Sequence, residues 1–186
     1  MDSDRGGYEM SSNTRASEQL LGSLQSDEGT GVVRMDDRFD TRIEDVWSAL
    51  TDRDRLGSWL GEVDGDLRLG GKFRARFFAS GWEGTGRVEV CEPPHRLLVL
   101  TKDADEPDAP DEHVIEVTLT ADGDQTIVVW EERPMPMNLL AAYGAGIQVH
   151  VEDLAAHLAG RERCDATTRF GELFPAYQEL AANIGY

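Results

Sequence analysis

Between residues 137 and 160, apolar positions recur at steps of three or four: Leu140, Tyr143, Ile147, Val151, Leu154 and Leu158. At about 100° per residue they share a stripe roughly 80° wide, the face of one α-helix. Alanines fill the positions around the stripe and favour helix. Gly160 stands where a left-handed terminator belongs, and Pro134 and Pro136 close the stretch before it. Gly144 and Gly146 each weaken such a helix by about 1 kcal/mol relative to alanine. Their presence predicts close approach to the helix backbone by a sheet or a bound ligand. Upstream the period falls from 3.6 to 2. Phe73, Ala75 and Phe77 share one face, as do Trp82, Gly84, Gly86, Val88 and Val90, and His113, Ile115, Val117 and Leu119. That alternation predicts antiparallel strands with one wet side. On 126–132 the inward set is either Ile127, Val129 and Glu131 or Val128, Trp130 and Glu132.

The remaining pattern completes an order of elements. Val32, Val33, Met35 and Phe39 predict a first strand. Thr41 and Glu44 have capping-box spacing ahead of Ile43, Val46, Trp47 and Leu50, a short helix. A second short helix is predicted over 52–60, a weak strand over 61–67 and another strand over 96–101. Residues 103–112 form a loop with six acids and two prolines. After Gly160, Phe170, Leu173, Tyr177, Leu180 and Ile184 predict a further amphipathic helix, started or interrupted by Pro175. Residues 1–25 read as a disordered tail, with at most a helical turn at 20–24. The domain then runs over 26–160, and 161–186 is a helical extension packed on it or on a second subunit. The fold class is α+β: a curved antiparallel sheet of about six or seven strands around a long C-terminal helix. Gly84 and Gly86 suit a sheet that must bend.

Composition narrows the partners. The chain has 186 residues and a formal net charge of −18, with a pI near 4.4. Such a surface argues against nucleic acid and anionic membranes, which demand clustered Lys and Arg. No apolar run reaches membrane-spanning length and the start lacks a signal-peptide core, so a cytoplasmic location is expected. Cys91 and Cys164 are far apart, without a CxxC spacing, and are expected as free thiols. No P-loop, GxGxxG, GxSxG or HExxH motif is present, and neither cofactor nor metal is expected.

The run 46–52, VWSALTD, followed by 56–60, LGSWL, resembles the first helices of the SRPBCC superfamily of START-like, pollen-allergen-like helix-grip proteins. Within it the chain is most similar to the activator of heat-shock protein 90 ATPase homologue family. Supporting segments are 69–74, LGGKFR; Gly86, Arg87 and Val88 with 93–97, PPHRL; and 141–146, AAYGAG, with His150 and Leu154. The resemblance covers roughly residues 30–160; the acidic loop and the last helix depart from it. It implies a helix-grip fold with an apolar cavity between sheet and helix, and Val128, Trp130 and Glu132 as the inward set of the last strand. The expected ligand-binding residues are Trp59, Phe73, Phe77, Trp82, Trp130, Glu132, Tyr143, Gly146, Ile147 and His150. A buried Glu132 would need a partner, or its pKa rises. His150, Asp153 and His157 share one side of the helix, but their offset from the apolar stripe favours solvated or capping roles over a metal site. The resemblance admits three functions: a carrier of a small apolar or amphipathic molecule, a cyclase- or dehydratase-like enzyme on the same cavity, or a stress-response module associated with a chaperone. A homodimer is compatible with all three.

Overall fold

The computed structural model describes residues 20–105 and 112–184. The tail expected over 1–19 and most of the acidic loop lie outside the described residues. Eight antiparallel strands form one sheet in the order β1-β2-β8-β7-β6-β5-β4-β3. In chain order these are β1 (Gly22–Asp27), β2 (Thr30–Phe39), β3 (Gly61–Gly65), β4 (Lys72–Phe77), β5 (Glu83–Glu92), β6 (Arg96–Asp103), β7 (His113–Asp122) and β8 (Gln125–Met135). Helices α1 (Ile43–Thr51) and α2 (Arg53–Trp59) follow β2, and α3 (Leu140–Leu158) and α4 (Ala166–Ala182) follow β8. The sheet is curved around α3, as a helix-grip fold requires. No helix among the described residues is long and apolar enough to cross a membrane.

The eighth strand is β1, where a helical turn was the expectation for 20–24; a tail boundary at 25 falls inside it. Its apolar signal is too short to show a period of 2. The backbone ladder to β2, with Leu24 opposite Val33, decides its conformation. The capping box is also not made. Arg42 is the N-cap of α1, no side chain caps it, and Thr41 Oγ1 instead donates to Asp45 Oδ2 at 3.0 Å. In β5 a bulge between Val88 and Val90 shifts the register against β6. Parity reverses there, so Cys91 packs on the core where alternation had placed Val90. Gly84 and Gly86 leave room for rings: a Cβ at the first would meet Trp82, and at the second Phe73. On β8, Val128, Trp130 and Glu132 are the buried set.

Helix α3 ends at Gly160, whose φ is +66°, with Arg161 N–H returning to Ala156 O at 2.8 Å. It is buried on more than the predicted stripe: Gly144, Gln148 and Val149 are inside as well. The reason is α4, which packs along α3 and against β1 and β2. Tyr177 is fully buried. Its ring occupies the space a Cβ on Gly144 would need, 2.5 Å away. Its hydroxyl donates to Gln148 Oε1 at 2.6 Å, and that oxygen also accepts Leu21 N–H at 3.1 Å. Gln148 Nε2 reaches Glu152 Oε1 at 2.8 Å, and Glu152 is forked by Arg169 at 2.7 and 2.8 Å. Asp165 caps α4 by accepting Thr168 N–H at 2.8 Å. Pro175 therefore neither starts nor interrupts α4, which runs through it with Leu173 and Tyr177 buried on either side.

Candidate functional site

Two spaces lie against the concave side of the sheet. The inner chamber, about 70 Å³, sits between the sheet and α1–α2. Leu50, Leu56, Trp59, Phe73, Ala75, Val88, Val117 and Trp130 are among its walls, and its polar residues are Thr51 and Thr101. The outer cleft, about 490 Å³, lies beneath α3. Leu139, Ala142, Tyr143, Gly146, Ile147, Val149 and His150 supply the α3 side; Phe77 and Glu132 come from the sheet; Ala79 and Ser80 belong to the β4–β5 loop; Ala166, Thr167 and Phe170 open α4.

The ten residues expected around one cavity are thus divided. Trp59, Phe73 and Trp130 border the inner chamber, while Glu132, Tyr143, Gly146, Ile147 and His150 border the cleft. Phe77 borders both. Trp82 borders neither; it packs on Phe77 with ring centroids 4.7 Å apart. Periodicity gave no reason to select Ser80, which lies in a loop, or Thr167 and Phe170, which lie beyond Gly160. His113 was placed on an inward face without a role. Its signal would have been the register of β7 on β8, which sets Ile115 opposite Glu132.

Glu132 holds the polar end of the cleft. It is buried, and each oxygen has a partner. Trp130 Nε1–H donates to Oε1 at 2.7 Å, and His113 Nε2–H to Oε2 at 2.7 Å. Burial alone would lower the pKa of His113, but the hydrogen bond and charge of Glu132 outweigh it and hold the imidazole above its usual value. The His113 ring in turn stacks with Tyr143, centroids 6.5 Å apart at 24°. Trp130 also meets Trp59 edge-on at 6.4 Å, so the Glu132 network reaches the wall of the inner chamber.

His150 differs. It is buried, its ring edge-on to Phe77 at 5.4 Å, with Nε2 3.3 Å from Ser80 Oγ. Nδ1 is buried with no hydrogen-bond partner. Burial pushes its pKa down, against the pull of Glu132 and Asp153. The solvated role expected for the helix-flank residues thus fails for His150, which packs on Phe77 and Ser80, and for Asp153, which meets the loop before α4. Asp153 Oδ1 accepts Cys164 N–H at 3.0 Å. His157 turns away and accepts Arg55 Nε–H at 3.3 Å. Among the described residues, no three His, Cys, Asp or Glu side chains form a group that could hold a metal ion.

The family described as Activator of Hsp90 ATPase homolog 1-like protein matches residues 40–159, from the end of β2 through α3. The chain belongs to this family. β1 and α4 lie outside the matched segment, and with α4 so do Thr167 and Phe170 of the cleft. Among solved structures, CalU16 from Micromonospora echinospora is similar at 24% identity and a TM-score of 0.69, over 87% of this chain and 96% of that one. DynU16, described as a protein in the dynemicin biosynthetic locus, aligns at 26% identity and a TM-score of 0.63 over 72% of this chain and 50% of its own. A conserved protein of unknown function from Enterococcus faecalis has the same fold at 18% identity, with a TM-score of 0.68 over 89% and 92% of the two chains. No curated protein matches the chain.

Proposed function

We propose that this protein binds a small amphipathic molecule in the cleft beneath α3. The observation that carries this reading is the cleft itself: about 490 Å³, with mostly apolar walls and a few polar groups, Ser80, Glu132 and His150 among them. A space of this size with few polar groups is what a small-molecule site needs. Gly146 adds support, because a Cβ placed there meets nothing within 4 Å. DynU16, a partial relative, is assigned by its description to a natural-product locus, which is compatible with such a ligand. A cytoplasmic location is part of the proposal.

The polar groups favour binding over acid–base catalysis. Both oxygens of Glu132 already accept hydrogen bonds, from Trp130 and His113, so the carboxylate borders the cleft as a fixed acceptor rather than a free base. A chaperone-docking reading would require an exposed apolar patch. Leu139 and Tyr143, two of the exposed large apolar residues, belong to the rim of the cleft, and Phe78 is covered by Arg163 at 4.4 Å.

The test is a titration with Nile red, a neutral apolar fluorophore, against the wild-type protein and Gly146→Leu. The wild type should bind the dye, and the variant should not, with an unchanged circular dichroism spectrum. Equal binding by the two proteins would remove the cleft from consideration.

A further inference from the structure

Among the described residues, Phe77 alone borders both spaces. It is half-buried, held between Trp82 at 4.7 Å and the edge of His150 at 5.4 Å. Behind it the inner chamber has two hydroxyls, both already engaged. Thr51 Oγ1 already donates to Trp47 O at 2.8 Å, and Thr101 Oγ1 to His113 O at 3.4 Å. Water placed there would find few partners, so the chamber suits hydrocarbon. Its about 70 Å³ is room for on the order of five water-sized groups. A well-packed domain rarely leaves such a void among large apolar side chains.

We infer that the Phe77 ring is a movable partition, and that the ligand is an elongated amphipath: its polar head stays in the cleft by Ser80 and Glu132, and a hydrocarbon tail of about four to six carbons passes Phe77 into the inner chamber. This rests on the ligand-binding reading above. The order of groups along the path fits such a molecule. Ser80, Glu132 and His150 lie on the cleft side, Phe77 follows, and Leu56, Trp59 and Val117 wall the chamber behind it. Phe77 is suited to move because its packing partners include the edge of the β4–β5 loop, whose Ser80 is exposed. The tail length, rather than the head, then sets specificity.

The test uses a graded series from phenol through 4-propylphenol to 4-pentylphenol, with dissociation constants by calorimetry for the wild type, Phe77→Ala and Ala75→Leu. Ala75 is buried in the chamber wall, so its leucine variant fills the chamber. In the wild type, affinity should rise about fourfold per added methylene. Phe77→Ala should keep that slope and bind the pentyl compound faster in stopped flow. Ala75→Leu should lose the slope. A wild type that binds all members equally, with a slope emerging only in Phe77→Ala, would make Phe77 a fixed wall and overturn the inference while leaving the cleft as a site. A slope retained in Ala75→Leu would also overturn it, since the tail would then lie elsewhere. Should Ala75→Leu fail to fold, the comparison of wild type with Phe77→Ala decides alone. If the wild type binds no member of the series, the ligand-binding reading falls and the inference with it.

Discussion

Gly144 and Gly146 stand two residues apart on α3, and their surroundings are opposite. On the Gly144 side, the Tyr177 ring fills the room that the missing Cβ leaves, and every polar atom nearby is paired through Gln148, Glu152 and Arg169. On the Gly146 side there is open space, a half-exposed Tyr143 and a buried imidazole nitrogen without a partner. One helix thus carries a finished interface and an unfinished one. Evenly loose packing would suggest a soft helix; a loose face opposite a tight one suggests that the loose face is kept for something else. The tight face is formed by α4, outside the family's matched segment, and it fixes α3 so that the cleft can remain open without the helix shifting to fill it.

The largest expected effect comes from emptying the tight face. Tyr177→Ala removes a fully buried ring, at a cost of about 3–5 kcal/mol. Gln148 Oε1 would lose the hydroxyl donor and keep Leu21 N–H. For a chain of this length each kcal/mol is worth roughly 2–4 °C, so calorimetry should show a much lower melting temperature. Melting with the wild type would mean that α4 is an appendage and that the contrast between the two faces is empty.

The same substitution at the two glycines sharpens the contrast. Gly144→Ala gains about 1 kcal/mol of helix propensity but drives its Cβ against the buried Tyr177 ring; overpacking of about 1–3 kcal/mol should leave a net loss. Gly146→Ala gains the same propensity and meets nothing, so it should stabilise by up to about 1 kcal/mol. Urea unfolding of both variants gives the signs. Two changes of the same sign would show that the faces are equivalent.

The sequence exposed periodic features more readily than features of shape. The stripe from Leu140 to Leu158 and the alternation on β4 and β7 are repeating signals, and they were enough for the helix-grip arrangement. β1 has only Leu24 to show for its inward face, so its pairing with β2 left no pattern. The reversal of parity at Val88 in β5 comes from a single extra residue, which alternation cannot register. The site was legible to the extent that its residues share those faces: Tyr143, Gly146, Ile147 and His150 follow from the helix, and Glu132 from β8 once the parity is known. That Trp59, Phe73 and Trp130 border a different space could not be read, because one ring, Phe77, makes the division. Ser80 and Phe170 enter through a loop and an added helix whose placement depends on tertiary packing.

The smallest effect is on the pH dependence of stability, where His113 and His150 pull in opposite directions. His113 has a raised pKa in the folded protein, set by burial, which opposes the rise, and by Glu132, which causes it. The native state therefore holds a proton that the unfolded chain releases near the ordinary value of 6.5. Its stabilisation is complete below that value and is lost as the pH rises through the folded pKa. His150 is kept neutral by burial, with its pKa lowered. Its contribution is complete above 6.5, the unfolded value, and is lost as the pH falls through the window below it. His157, lowered by partial burial and Arg55, adds to the same acid flank. The histidine contribution should thus peak near the unfolded value and decline on both sides. Chemical denaturation between about pH 5 and 8, the range in which histidines titrate, should show that peak. His113→Gln should flatten the alkaline flank, and His150→Gln should flatten much of the acid one while leaving the share of His157. If His150→Gln leaves the acid flank untouched, its imidazole is charged in the fold, Nδ1 has found a partner, and the open face of α3 is less unfinished than its geometry states.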